Sequence, residues 1–143
     1  MKHETTTINA EKGGNKVKAV IYARYSLSNV AHSYIRKQIA ACEKYAEANG
    51  IEIVDTYADV GLATSPRTGY NQLLADAAKD KFTLILVCTF DRFAVKVKDV
   101  KETCNVLLEK KIDILSVYDG YIFNFEKFLA SPAVKFAITD DKN

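Results

Sequence analysis

A chain of 143 residues is long enough for one domain with a real core, and its 48% hydrophobic, 27% charged composition excludes a disordered protein. Twenty basic against eighteen acidic side chains leave a net charge of +2, too mild to indicate nucleic-acid binding through bulk charge, so a positive surface has to come from local clustering. No apolar stretch approaches the roughly 20 residues of a membrane span.

Residues 1–16 are polar, with a threonine run and Gly13-Gly14, and read as a disordered leader without a signal-peptide core. Residues 17–23 are a first buried strand. Ser33 is placed to cap a helix running to Asn49-Gly50, with Ile35, Ile39, Cys42 and Ala46 at helical spacing. Ile51 to Tyr57 is the second strand. Asp59 to Gly69 reads as a loop, mobile between Val60 and Thr68, followed by a helix from Tyr70 to Lys79. The unbroken apolar run Phe82 to Cys88 suits a central strand covered on both faces. A helix from about Val97 to Lys110 leads into a fourth strand, Ile112 to Val117. Ser131-Pro132 has the capping serine and first-turn proline of another helix start, and the segment turns polar at Thr139.

Strands alternating with helices predict an α/β fold in three layers: a mostly parallel sheet of four to five strands with helices on both faces. One domain is expected over residues 17–130. The cysteines Cys42, Cys88 and Cys104 are odd in number, widely spaced and set in apolar patterns, so they read as buried free thiols of a cytoplasmic protein. Without a Cys-x-x-Cys pair, and with two histidines, a zinc site is not expected.

The chemistry gathers at strand ends, where open α/β sheets keep their ligands. Tyr22-Ala23-Arg24-Tyr25-Ser26 closes the first strand and sets a cation beside a hydroxyl. Gln38 on the next helix, Arg67 in a loop and Asp91-Arg92 after the Phe82–Cys88 strand join it. Each has a plainer reading: Ser26 and Asp91 as caps, Arg67 and Arg92 as surface charges, Gln38 facing solvent. Together they outweigh it. Guanidinium groups around a serine suit a phosphate, because their forks match its oxygens in pairs and stay charged. No histidine is placed as a general base, since His32 lies in a polar stretch, which argues against a Ser-His-Asp hydrolase. A flavodoxin-like small-ligand binder is weakened by the turn Ser26 to Ser33, which has no glycine to admit a phosphate.

Taken together, Tyr-x-Arg-x-Ser, the glutamine twelve residues on, Arg67-x-Gly69 and Asp91-Arg92 resemble the serine site-specific recombinases: resolvases, invertases and large serine integrases. The resemblance spans about residues 17–139 and implies their catalytic domain. It implies that Ser26 attacks a DNA phosphodiester and holds the strand as a 5′-phosphoserine, without metal or other cofactor. It also implies that Arg24, Arg67 and Arg92 bind the phosphate oxygens, that Gln38 adds a hydrogen bond, and that Asp91 and, more weakly, Asp59 orient arginines or assist proton transfer. The implied partners are double-stranded DNA and a second copy, as a dimer that pairs into a synaptic tetramer, with no membrane involved.

Two departures stand against the family pattern. Where its motif reads Asp-Arg-Leu-x-Arg, this chain has Asp91-Arg92-Phe93-Ala94-Val95, so Val95 replaces an arginine. By analogy with oxyanion donors, losing one such donor costs on the order of 10² to 10³ in rate. Lys96 and Lys98 are the candidates to compensate, although Lys96 points about 100° away round a helix. Residues 131–143 resemble the start of the family's long dimerisation and DNA-arm helix, cut short. An alternative therefore stands beside recombination: a catalytically impaired remnant acting as a dimerisation or regulatory module, with a full-length recombinase as its partner.

Overall fold

The computed structural model describes residues 11–12, 15–26, 30–61, 66–93 and 99–130. Two short strands, β1 (Glu11–Lys12) and β2 (Asn15–Lys16), pair antiparallel within the expected leader. Strands and helices then alternate: β3 (Lys18–Tyr25), α1 (Ala31–Ala48), β4 (Glu52–Val60), α2 (Thr68–Ala77) and β5 (Leu84–Val87). A 3₁₀ turn (Phe90–Phe93) leads to α3 (Val100–Glu109), β6 (Asp113–Ser116), β7 (Tyr121–Ile122) and α4 (Phe125–Ala130). The main sheet has five strands in the order β4-β3-β5-β6-β7, parallel apart from β7, which runs against β6.

β5 is the middle strand, as its unbroken apolar run predicts, and β3 lies inside the sheet between β4 and β5 because both its faces are apolar. Val20 and Tyr22 face Leu73 and Ala77 of α2 and Cys104 and Leu107 of α3. Ala19 and Ile21 face Cys42 and Ala46 of α1. Successive side chains of a strand alternate between faces, so α1 forms one outer layer and α2 with α3 the other. This is the three-layer α/β architecture that the alternation predicts. All three cysteines are free and buried.

Element ends depart from expectation at several places. Asp59, expected in a loop, lies in β4 beside Arg24 of β3, and α2 runs Thr68–Ala77 rather than Tyr70 to Lys79. α1 starts early, although it stops where expected. α1 begins at Ala31, and its N-cap position is Val30 with no side-chain bond, so Ser33 sits inside the first turn rather than capping it. The reason is tertiary. Ala31, 1% exposed, packs with Ala23 and Ile35, and that contact draws the helix start ahead of the serine. At the other end Gly50 adopts φ 67°, the left-handed conformation that glycine tolerates, and α1 stops there as predicted.

The topology locates a site. From β3 the chain goes through α1 to β4 on one side, then returns past β3 to β5 on the other. Such a reversal opens a crevice beyond the carboxyl ends of the strands, where doubly wound folds bind ligands. Here the crevice lies between the segment after β3 and the 3₁₀ turn after β5. The start expected at Ser131-Pro132 lies outside the described residues.

Candidate active site

β3 outruns β5. Their last paired residues are Ile21 and Leu86, whereas β3 continues beside β4 to Tyr25, opposite Val60. Buried peptide groups at the overhang need other partners, and Gln38 supplies them. Its Oε1 accepts from the Arg24 backbone N–H at 3.1 Å, and its Nε2 donates to the Arg24 carbonyl at 2.9 Å. Gln38 thus replaces a missing strand. It falls in the buried stripe Ala31, Ile35, Gln38, Cys42 and Ala46 of α1, which directs a polar side chain inward.

The Arg24 guanidinium is held just as firmly. Nε donates to the Arg92 carbonyl at 3.2 Å, Nη1 to the Gly61 carbonyl at 3.1 Å, and Nη2 to the Asp91 carbonyl at 2.9 Å. One side chain therefore ties the end of β4 to the turn after β5 across the tip of β3. Burial lowers the pKa of Arg24, and the Arg67 and Arg92 charges push it further down. Arg24 thus feels two further positive charges, a configuration an anion would relieve. Ser26, exposed, stands two residues beyond Arg24 at the mouth.

On the α2 side Asp59 is the hub. Its Oδ2 accepts from the Tyr22 hydroxyl at 2.7 Å and the Tyr70 backbone N–H at 2.8 Å, and its Oδ1 accepts from the Gly69 N–H at 2.8 Å. A carboxylate is thereby seated on the N-terminal end of α2, where the helix dipole and free N–H groups favour it. The Tyr22 oxygen in turn accepts from Arg67 Nε at 3.2 Å and Nη2 at 3.0 Å. The Arg67 guanidinium also lies over the Tyr70 ring at 4.4 Å and the Tyr22 ring at 5.4 Å. Gly69 is required by this packing, since a Cβ there would stand 2.6 Å from the Ala58 carbonyl oxygen. Burial, then the bond to Asp59, raises the Tyr22 pKa against the opposing pull of Arg67. Burial pushes Tyr70 up to about 12, opposed by Thr103 and Arg67.

The turn after β5 presents the remaining pair. Asp91 is exposed and its carboxylate accepts from the Thr89 hydroxyl, while the Arg92 N–H bonds the Thr89 carbonyl at 3.1 Å. The Arg92 guanidinium lies 5.5 Å from the centre of the Tyr25 ring. Among the described residues it makes no hydrogen bond or ion pair. No other described residue of the site claims its donors, unlike those of Arg24.

The residues picked out along the chain, Arg24, Ser26, Gln38, Asp59, Arg67, Asp91 and Arg92, all lie around the tip of β3. The plainer reading of Arg67 as a surface charge does not hold, since it is 5% exposed because two tyrosine rings cover it. Residues 62–65 of that loop lie outside the described residues, as do Val95, Lys96 and Lys98. Sequence reading missed Tyr22 and Tyr70 as site members. The available signal was a hydroxyl inside a buried apolar run, because a buried tyrosine usually finds a partner for its O–H.

A protein-family profile described as Resolvase, N terminal domain matches residues 19–130. The chain belongs to the resolvase family. The N-terminal catalytic domain of TP901-1 integrase is 27% identical, with a TM-score of 0.59 over 87% of this chain and 91% of that one. A resolvase family site-specific recombinase from Streptococcus pneumoniae shares the fold at 24% identity and a TM-score of 0.65, covering 89% of each chain. The C-terminal catalytic domain of ISC1926 TnpA, an IS607-like serine recombinase, does so at 20% identity and 0.63, over 88% of this chain and 78% of that one. No curated protein matches the chain. As a resolvase-family member this chain is the catalytic domain of a serine recombinase, a DNA strand-transfer enzyme.

Proposed function

We propose that this recombinase domain cuts and rejoins duplex DNA through Ser26. The Ser26 oxygen attacks the phosphorus, the bond to the 3′ oxygen breaks, and that oxygen leaves as a free hydroxyl after taking up a proton. The DNA 5′ phosphate then stays on Ser26 as a phosphoserine. Attack by a 3′ hydroxyl from a second duplex reverses the step and frees the serine, so the phosphoester bond is conserved and no ATP is needed. The observation that carries this reading is an exposed serine two residues beyond the buried Arg24, which bonds the Arg92 carbonyl, while Arg67 bonds Tyr22 of the same strand.

In this reading the residues divide the labour. Arg92 offers its donors to the phosphate. Arg24 and Arg67, held by neighbouring atoms, supply preorganised positive field, which costs nothing to arrange when charge develops. Asp59 holds the Tyr22–Arg67 pair, Gln38 holds the strand that carries Ser26, and Asp91 is the exposed carboxylate available to the departing proton. The working assembly is a dimer that pairs into a tetramer on DNA. A second reading, an impaired module that dimerises with a full-length recombinase, rests on Val95 in place of the motif's arginine.

Covalent capture separates the two. The chain is fused to a sequence-specific DNA-binding module and given duplexes whose paired target sites flank a nicked spacer. The expected result is a detergent-stable protein–DNA species that Ser26→Ala abolishes and Val95→Arg increases. Absence of the species from both the parent and the Val95→Arg protein, with DNA bound, would leave the regulatory reading standing.

A further inference from the structure

We propose that Tyr34, acting through Tyr25, is a positioning residue that holds Arg92 over the mouth beside Ser26. The inference rests on the reading of Ser26 as nucleophile and names what readies its phosphate-binding arginine. The observation is a column of four side chains running along the α1 side of the site. Lys37 Nζ stands 5.4 Å from the centre of the Tyr34 ring. Tyr34 lies parallel to Tyr25, with 4.3 Å between centres and 8° between planes. Arg92 sits over Tyr25 at 5.5 Å.

Local structure explains the alignment. β3 sends Arg24 to the α2 side and Tyr25 to the α1 side, since neighbours in a strand point oppositely. Lys37 lies three residues after Tyr34 on α1, a spacing that puts both on one helix face. Gln38, four residues after Tyr34, is bonded twice to the Arg24 backbone, which fixes the height of α1 against the tip of β3. Tyr34 is itself 42% exposed and belongs to none of the core clusters, so holding the core together does not account for it.

The column suits what Arg92 has to do. A guanidinium held over an aromatic ring is oriented without spending any N–H donor. Arg24 shows the other way of holding an arginine, with each kind of guanidinium nitrogen bonded to a carbonyl. The Arg92 backbone is anchored through its N–H to Thr89 and its carbonyl to Arg24, leaving the side chain as the part the ring must place.

The test begins with the isotope-labelled full chain, free of DNA. Tyr25 should displace the Arg92 side-chain proton resonances upfield through its ring current. Tyr34→Ala should shift them back toward free-arginine values, and Tyr34→Phe should leave them in place. Alanine is the best helix former and the site is exposed, so α1 should persist. Arg92 resonances identical in Tyr34→Ala and parent would overturn the proposal. With the same chain carrying an added DNA-binding module, Tyr34→Ala should slow covalent capture at saturating DNA about fivefold, the scale of one aromatic pair with one cation–ring contact. Tyr34→Phe should restore the parent rate. A displaced Arg92 with an unchanged capture rate would also overturn it. A parent protein that forms no adduct refutes the Ser26 reading instead, while the resonances still decide whether Tyr34 holds Arg92.

Discussion

The two sides of the β3 tip are built on opposite plans. On the α2 side Tyr22, Asp59, Arg67 and Tyr70 are buried and bonded to one another, and Asp59 alone accepts three hydrogen bonds. On the α1 side Tyr25 and Tyr34 stack ring on ring with Arg92 and Lys37 over their outer faces, and Tyr34, Lys37 and Arg92 keep solvent access. The difference separates two needs of a phosphoryl-transfer site. A fixed positive field requires charges that cannot move, and ligand capture requires donors that are not already used. In the proposed mechanism Arg67 answers the first need and Arg92 the second.

The comparison breaks most sharply at Arg92. Arg92→Ala should lower the rate of covalent capture by on the order of 10² to 10³, the cost of one preorganised donor. Its stability should stay within about 0.5 kcal/mol of the parent, as for other surface changes. Capture rate and urea midpoint, measured on one preparation, check both halves. A large loss of stability would mean that Arg92 belongs to the buried plan.

Asp59→Ala should do the reverse. It strands the N–H groups of Gly69 and Tyr70 and leaves the Tyr22–Arg67 pair without its acceptor. Removing one partner from a buried charged network costs about 3 kcal/mol or more. Urea denaturation should show a clearly lower midpoint with the slope unchanged. A change under about 0.5 kcal/mol, the range of an ordinary surface substitution, would contradict the hub assigned to Asp59.

The smallest effect concerns pH. Burial raises the phenol pKa values of Tyr22 and Tyr57, and that of Tyr70 to about 12. The fold therefore favours their neutral forms. That stability is present in full below the ordinary phenol value near 10 and is lost as pH rises through the higher folded values. Absorbance titration at about pH 11 should find these buried members of the eight tyrosines still protonated. Adding urea should release them at the ordinary value. Folded protein titrating all its tyrosines near 10 would show that the network is open to water.

What could be read along the chain was whatever depends on neighbours in sequence. The apolar runs marked β3 and β5, Asn49-Gly50 marked the end of α1, and Arg24 with Ser26 sat at a strand end where an α/β sheet keeps its ligands. What escaped depends on distant partners. The burial of Arg67 is not legible because the rings that cover it come from β3 and α2. Ser33 looked like a cap because the Ala23–Ala31 contact that starts α1 earlier has no local signature. β7 is two residues long and too short for alternation to show. The turn at Phe90–Phe93, which aims Arg92, carries no periodic pattern.

The central claim is that Ser26 carries the phosphate, and the direct test is the chemistry of the captured adduct. Protease digestion followed by mass analysis should place a nucleotide on the peptide containing Ser26, linked through its 5′ phosphate. The complementary DNA fragment should end in a free 3′ hydroxyl that a polymerase extends. A nucleotide on Tyr25 or Tyr34, or a linkage through a 3′ phosphate, would contradict the account.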